Sequence, residues 1–195
     1  NNVDHGAPNS VNAIFCFCSH RYVGRKTFLS GVDWNEDAND TLKLLLDNGV
    51  NPHVPLKDTG QTPLHAAVAS GCKCALGALL NQVEYTVDHL SILDSNGETA
   101  FHTALSNANY ECFELFVNKY SLEILLEKVL DKHGENVLAT LIRNTDIPYD
   151  QNITASTSES QSFRLLKILL ARLEQENRAY PLIHENKAGE TVMTV

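Results

Sequence analysis

Apolar residues gather along this chain in short, helix-spaced runs separated by polar turns that carry glycine. The fullest runs are TLKLLLDNG from Thr41, ALGALLNQV from Ala75, CFELFVNKY from Cys112 and FRLLKILLARL from Phe163. Ahead of the last three lies a shorter run opened by a turn: DTGQTPLHAAVASG from Asp58, DSNGETAFHTALSNA from Asp94 and DKHGENVLATLIRNT from Asp131. These align on Thr62, Thr99 and Asn136, 37 residues apart each time (62, 99, 136). The closing NKAGETVMTV starts the pattern again with Thr191 in the Thr62 role, and APNSVNAIFCFC near the start is a weaker copy, with Asn9 and Val11 matching Thr62 and Leu64. The pattern predicts four units and the beginning of a fifth.

Each unit reads as turn, helix, turn, helix. Gly60, Gly97, Gly134 and Gly189 precede the first helices, where a tight turn favours a residue free to take positive φ. Thr62 is placed as an N-cap, and Pro63 as the first helical residue, where its missing N–H costs nothing. Neither helix of a unit can bury its apolar face alone, so neighbouring units must stack. The expected fold is all-α, a solenoid of helix-turn-helix units forming a single domain over residues 1–195. Its units run over about 4–56, 57–93, 94–130 and 131–185, with a truncated one at 186–195.

The residues T-P-L-H followed by an Ala pair, Thr62 to Ala67, resemble the ankyrin-repeat signature. So does LLLDNGVNPHV, Leu44 to Val54, which is similar to that family's second-helix ending and its link to the next hairpin. Later units depart from the pattern: Ala100 and Phe101 replace Pro and Leu, and Asn136 and Ala139 replace Thr and His. The family repeats every 33 or so residues. About four residues are added here after Val83 and again after Tyr120, one helical turn each, and SLEILLEKVL from Ser121 reads as such an extension of the second helix.

The resemblance implies short hairpin fingers and a concave partner-binding face, and its Thr and His tie the first helix to its turn. Carried over residue by residue, the finger positions on that face are Thr59 and Gln61, then Ser95, Asn96 and Glu98, then Lys132, His133 and Glu135. The helix positions are Ala69 and Ser70, then Ser106 and Asn107, then Arg143 and Asn144. His53 falls where many ankyrin repeats carry an asparagine that an oxygen-dependent hydroxylase modifies, with a plain turn residue as the stronger reading.

Two insertions separate the helices of the first and fourth units, at about 19–36 and 146–160. The first holds Arg21, Tyr22, Arg25, Lys26, Phe28 and Trp34. It reads as a loop capping the end of the core or, through its aromatic and basic residues, as a binding loop. The second is rich in serine and threonine and reads as a polar spacer, with Thr157, Ser158 and Ser160 as candidate phosphorylation sites.

Composition narrows the function further. The 195 residues carry a net charge of −9, which speaks against wrapping a phosphate backbone. Nucleic-acid binding through Arg21, Arg25 and Lys26 is the least favoured reading. No apolar run approaches the roughly 18 residues a membrane helix needs, so no membrane insertion is expected. The five cysteines, at 16, 18, 72, 74 and 112, form no spaced metal or disulfide framework. They are expected to pack in the core of a cytoplasmic or nuclear protein, with no metal and no cofactor. None of the familiar catalytic or nucleotide-binding motifs is present. The recurring His65 and His102 therefore read as scaffold. The sequence points to a non-catalytic protein–protein interaction scaffold, a segment of a larger intracellular protein. Its expected partner is another protein or peptide segment, or neighbouring domains of the same protein. The competing reading is a regulatory or packing module within a larger enzyme or channel.

Overall fold

A computed structural model describes residues 8–19, 34–144, 160–175 and 185–191. The helices in chain order are α1 (Pro8–Ser19), α2 (Trp34–Asp47), α3 (Pro63–Ala69), α4 (Lys73–Gln82) and α5 (Val87–Leu90). After them come α6 (Ala100–Ser106), α7 (Tyr110–Lys119), a π-helical turn (Ile124–Lys128), α8 (Val137–Arg143) and α9 (Gln161–Gln175). Among the described residues one isolated antiparallel bridge, between Glu185 and Thr191, closes the base of the turn at Gly189.

The helices stack in two layers. First helices pack in succession, α1 on α3, α3 on α6 and α6 on α8, and so do second helices, α2 on α4, α4 on α7 and α7 on α9. Between the layers lie Leu64, Leu76 and Leu79 from one unit and Phe101, Leu105, Phe113 and Phe116 from the next, all essentially inaccessible to water. Phe101 and Phe116 meet ring to ring with centroids 4.3 Å apart. Each such side chain contributes about 1.5–3 kcal/mol relative to an exposed position, so a short helix of seven residues is held by its neighbours rather than by its own propensity.

Local sequence sets the ends of these helices. Thr62 stands in extended conformation (φ −86°, ψ 166°) with Pro63 opening α3. Beyond the helix Gly71 takes φ +68° and donates its N–H to Val68 O (3.0 Å), turning the chain into α4. The matching position one unit later is Ala108, which holds φ +53° despite its Cβ.

Three expectations need correction. The added residues do not lengthen the second helices. Val83 (φ −115°, ψ 130°) and Tyr120 (φ −111°, ψ 153°) are extended and end α4 and α7. A fresh turn follows each: α5, capped by the Thr86 hydroxyl, and the π-helical turn, where Ser121 Oγ accepts from the Ile124 N–H (3.4 Å). These turns bury Leu90, Leu122, Leu125 and Leu126, which a longer straight helix would carry past the core. Trp34 opens α2, so the last three residues assigned to the first insertion are helical. Cys16 is exposed while Cys18 is buried, as two residues on opposite faces of one helix must be, so Cys16 is no core filler. The first of the hairpin fingers also differs in length from the next. The finger before α3 is closed by Leu56 N–H to Gln61 O (2.8 Å), and the next by Asp94 N–H to Glu98 O (2.9 Å), so the earlier finger is one residue longer.

Candidate functional site

Four fingers, turning at Gly60, Gly97, Gly134 and Gly189, project beside the first helices, and all four glycines have φ between +65° and +81°. In the last three fingers one side chain builds the turn. Asp94 Oδ1 accepts from the N–H groups of Asn96 (2.9 Å) and Glu98 (3.1 Å). Asp131 Oδ1 does the same for His133 and Glu135, both at 2.8 Å. Asn186 Oδ1 serves Ala188 and Glu190, both at 2.9 Å. This is the Asx-turn habit of short polar side chains.

Consecutive fingers are then joined edge to edge. Ser95 N–H donates to Thr59 O (2.8 Å), Lys132 N–H to Gly97 O (2.9 Å) and Lys187 N–H to His133 O (2.8 Å). Two lysines reinforce this ladder. The Lys132 stem lies across Gly97 and its ammonium donates to Asn96 O (2.6 Å), and Lys187 reaches over Gly134 to Lys132 O (2.6 Å).

The recurring histidines couple helix starts to this ladder. His65 Nδ1 accepts from the Thr62 N–H (3.2 Å) and lies 2.8 Å from Thr62 Oγ1. Accepting there leaves the proton on Nε2, which donates to Glu98 O in the next unit (3.1 Å). His102 repeats the arrangement, with Thr99 Oγ1 at 2.7 Å and Glu135 O at 3.1 Å. Burial holds both imidazoles below the ordinary histidine value, His102 down to about 4, so both are neutral hydrogen-bonding groups at pH 7. In the following unit Asn136 Oδ1 caps α8 by accepting from Ala139 N–H (3.0 Å), and no imidazole reaches onward.

The positions expected on the concave face fall on these fingers and on the nearby ends of the first helices. Ala69, Ser95, Asn96, Ser106, Asn107, Lys132, His133, Arg143 and Asn144 are exposed, while Thr59, Gln61, Ser70 and Glu98 are half-buried. Glu135 is buried. Several pair with one another across a unit: Ser106 Oγ donates to Glu98 Oε1 and Arg143 Nη2 to Glu135 Oε1, both at 2.7 Å. The bond from Arg143 holds the Glu135 carboxyl below the usual carboxylate range, helped by Asn186 Nδ2 at 3.2 Å. Ser70 instead turns its hydroxyl inward, to Cys18 O (2.7 Å). His53 is half-buried, stacked on His89 and edge-on to Tyr85. Ser160 Oγ accepts from the Phe163 N–H (3.3 Å) at the start of α9. Arg21, Tyr22, Arg25, Lys26, Phe28, Thr157 and Ser158 lie outside the described residues, as does the side chain of Trp34.

Sequence reasoning missed the inter-unit half of the histidine bonds, the two lysine stems and Asn186. The histidines recur visibly. Their partners are backbone carbonyls, which no residue type marks. Among the described residues no group of three or more His, Cys, Asp or Glu side chains could hold a metal ion. Nor is any helix among them long and apolar enough to cross a membrane.

Two helical layers, recurring turn-built fingers and a histidine carried from two successive helix starts to the following finger define a helical repeat solenoid. Residues 32–127 match the family described as ankyrin repeats (3 copies), and the chain is an ankyrin-repeat protein. No curated protein matches it. Ankyrin repeats generally mediate interactions between proteins.

Proposed function

We propose that the chain is a non-catalytic scaffold segment whose finger-and-helix-end face binds another protein or peptide segment, or a neighbouring domain of its own protein. One observation carries this reading. The fingers satisfy their backbone groups among themselves, yet the face they share with the helix ends keeps Asn96, Ser106, Asn107, His133, Arg143 and Asn144 exposed. Such a face is rigid and polar, with small side chains at the earlier helix positions, Ala69 and Ser106, and one long one, Arg143, at the last. It suits an extended segment that lies along the units and hydrogen-bonds to amide and guanidinium groups. Five cysteines outside any disulfide suit a reducing compartment, cytoplasm or nucleus.

The test is affinity capture from cell extract with the intact chain and with a triple variant, Asn96→Ala, His133→Ala and Arg143→Ala, at matched melting temperature. Proteins retained by the chain and lost by the variant support the face. An identical set retained by both refutes it.

A further inference from the structure

A cluster of titratable rings lies where the first unit meets the second. His53, in the link after α2, stacks on His89 of α5 with ring centroids 3.8 Å apart and planes 13° from parallel. Tyr85, between α4 and α5, meets the same ring edge-on at 5.1 Å. His89 is fixed from behind, its Nδ1 accepting from the Thr86 N–H at 3.3 Å. His53 is fixed through its backbone, whose N–H donates to Asn51 Oδ1 at 2.9 Å. Its Nδ1 and the Tyr85 hydroxyl are both shut off from water and make no hydrogen bond. His89 thereby closes the capping box that opens α5, while the rings of His53 and Tyr85 take no part in the helix starts and fingers held by His65 and His102.

We propose that His53, His89 and Tyr85 form a proton-operated clasp, closed at neutral pH, that holds link 50–56 against turn 86–90 and releases it as the medium acidifies. A proton on His53 turns its buried Nδ1 into a donor with no acceptor and places a charge where water is excluded, both of which favour opening. That charge also faces the His89 ring, stacked with its centroid 3.8 Å away, which offers it no acceptor.

The surrounding groups do not offset these costs. Burial and then His89 depress His53 below the ordinary histidine value, and no carboxylate enters that balance. Glu84 and Asp88, beside Tyr85 and His89 in the chain, are exposed, as are Lys57 and Asp58 beyond the link. The groups acting on Tyr85 are Cys18 and Tyr120, and both stay neutral, because burial raises the thiol and holds the phenol up at about 12. With His53 depressed, the closed form is fully favoured above pH 6.5 and loses ground as pH falls from there toward the folded-state value. Link 50–56 leads into the finger that carries Thr59 and Gln61, so release there frees the first finger from below. His65 and His102 titrate only when whole units part, because each is sealed between a helix start and the next finger.

The experiment is an NMR titration of the intact chain from pH 7.5 to 5, reading the imidazole signals and amide exchange corrected for its intrinsic pH dependence. His53 is expected to titrate below 6.5. Amides of 50–56 and 86–90 should lose protection, by up to about tenfold per pH unit, while those of α3 and α6 hold. His53→Phe keeps an aromatic ring that cannot charge and should leave protection pH-independent. An ordinary, uncoupled titration of His53 overturns the clasp, as does equal loss of protection across all helices. The wild-type titration decides the matter even where the variant folds poorly.

Discussion

Two joins in this stack do the same work with different chemistry. Where the unit of α3 and α4 meets that of α6 and α7, and again at the next join, a buried histidine reaches from a Thr-capped helix start to the following finger's carbonyl. Where the unit of α8 and α9 meets the finger at Gly189, Asn136 Oδ1 caps its own helix and no imidazole stands in the place of His65 and His102. Among the described residues that join is made by the Lys187 ammonium, the Lys187 N–H and Asn186, all on exposed or half-exposed residues. A hydrogen bond in a water-free interior is costly to leave unmade, whereas one at the surface is readily replaced by water. The stack is therefore riveted through its middle and only buttoned at its later end.

The sharpest way to break the contrast is His102→Ala. It takes from the Glu135 carbonyl one of its two donors, leaves the Thr99 hydroxyl without its imidazole and opens a cavity, so urea unfolding should show a loss of about 3 kcal/mol. It should also alter pH dependence. His102 in the folded chain lies at about 4, below the ordinary 6.5, so the unfolded chain binds the proton first. Its contribution is present above pH 6.5 and is lost as pH falls toward 4. Melting curves across that window should be flatter for the variant than for the parent. An equally steep fall in both would show that His102 is not the titrating rivet.

Next come the finger glycines. Gly97→Ala adds the strain of φ +81° and drives a methyl into the Lys132 stem, for which about 2 kcal/mol is expected. Gly189→Ala carries φ +78° but meets open space, so it should cost about 1 kcal/mol. Equal costs would show that the lysine stem moves aside freely. Ala108→Gly goes the other way. Relief of the left-handed conformation outweighs the added unfolded-chain freedom, and a gain of about 0.5 kcal/mol in denaturant midpoint experiments is expected. The smallest effect belongs to Lys187→Met, which keeps the stem and removes the ammonium, at about 0.5 kcal/mol or less. A loss as large as that of His102→Ala would erase the distinction between riveted and buttoned joins.

Much of this was legible in the chain before any fold was known. Thr62, Pro63 and the recurring glycines declare helix starts and turns because local backbone chemistry admits few other residues there. The two-layer stack follows from helices too short and too apolar to stand alone. What stayed hidden were contacts whose partner is a backbone atom or whose register shifts by one. His65 announces a cap, but its hold on Glu98 O depends on where the next finger lands. At the 37-residue spacing Lys57 stands opposite Asp94, yet Leu56 makes the finger-closing bond, because the finger at Gly60 is one residue longer. The four-residue additions were visible as length. That they break away at Val83 and Tyr120 depends on extended caps which apolar and aromatic residues do not announce. The candidate binding face was reachable only through family likeness, since polar finger residues look alike in sequence whether they meet a partner, each other or water. Ser106 with Glu98 and Arg143 with Glu135 are residues that meet each other.

The ladder of fingers also sets how the molecule carries load. Each finger passes tension to the next through one backbone bond, and at two joins a buried imidazole works in parallel with it. Drawn apart along the stack, such a molecule yields in order of its bonds rather than all at once. The finger at Gly189 peels away first at low force, because water competes directly for its lysine and asparagine contacts. The histidine-linked joins then fail together at higher force, as a single abrupt step.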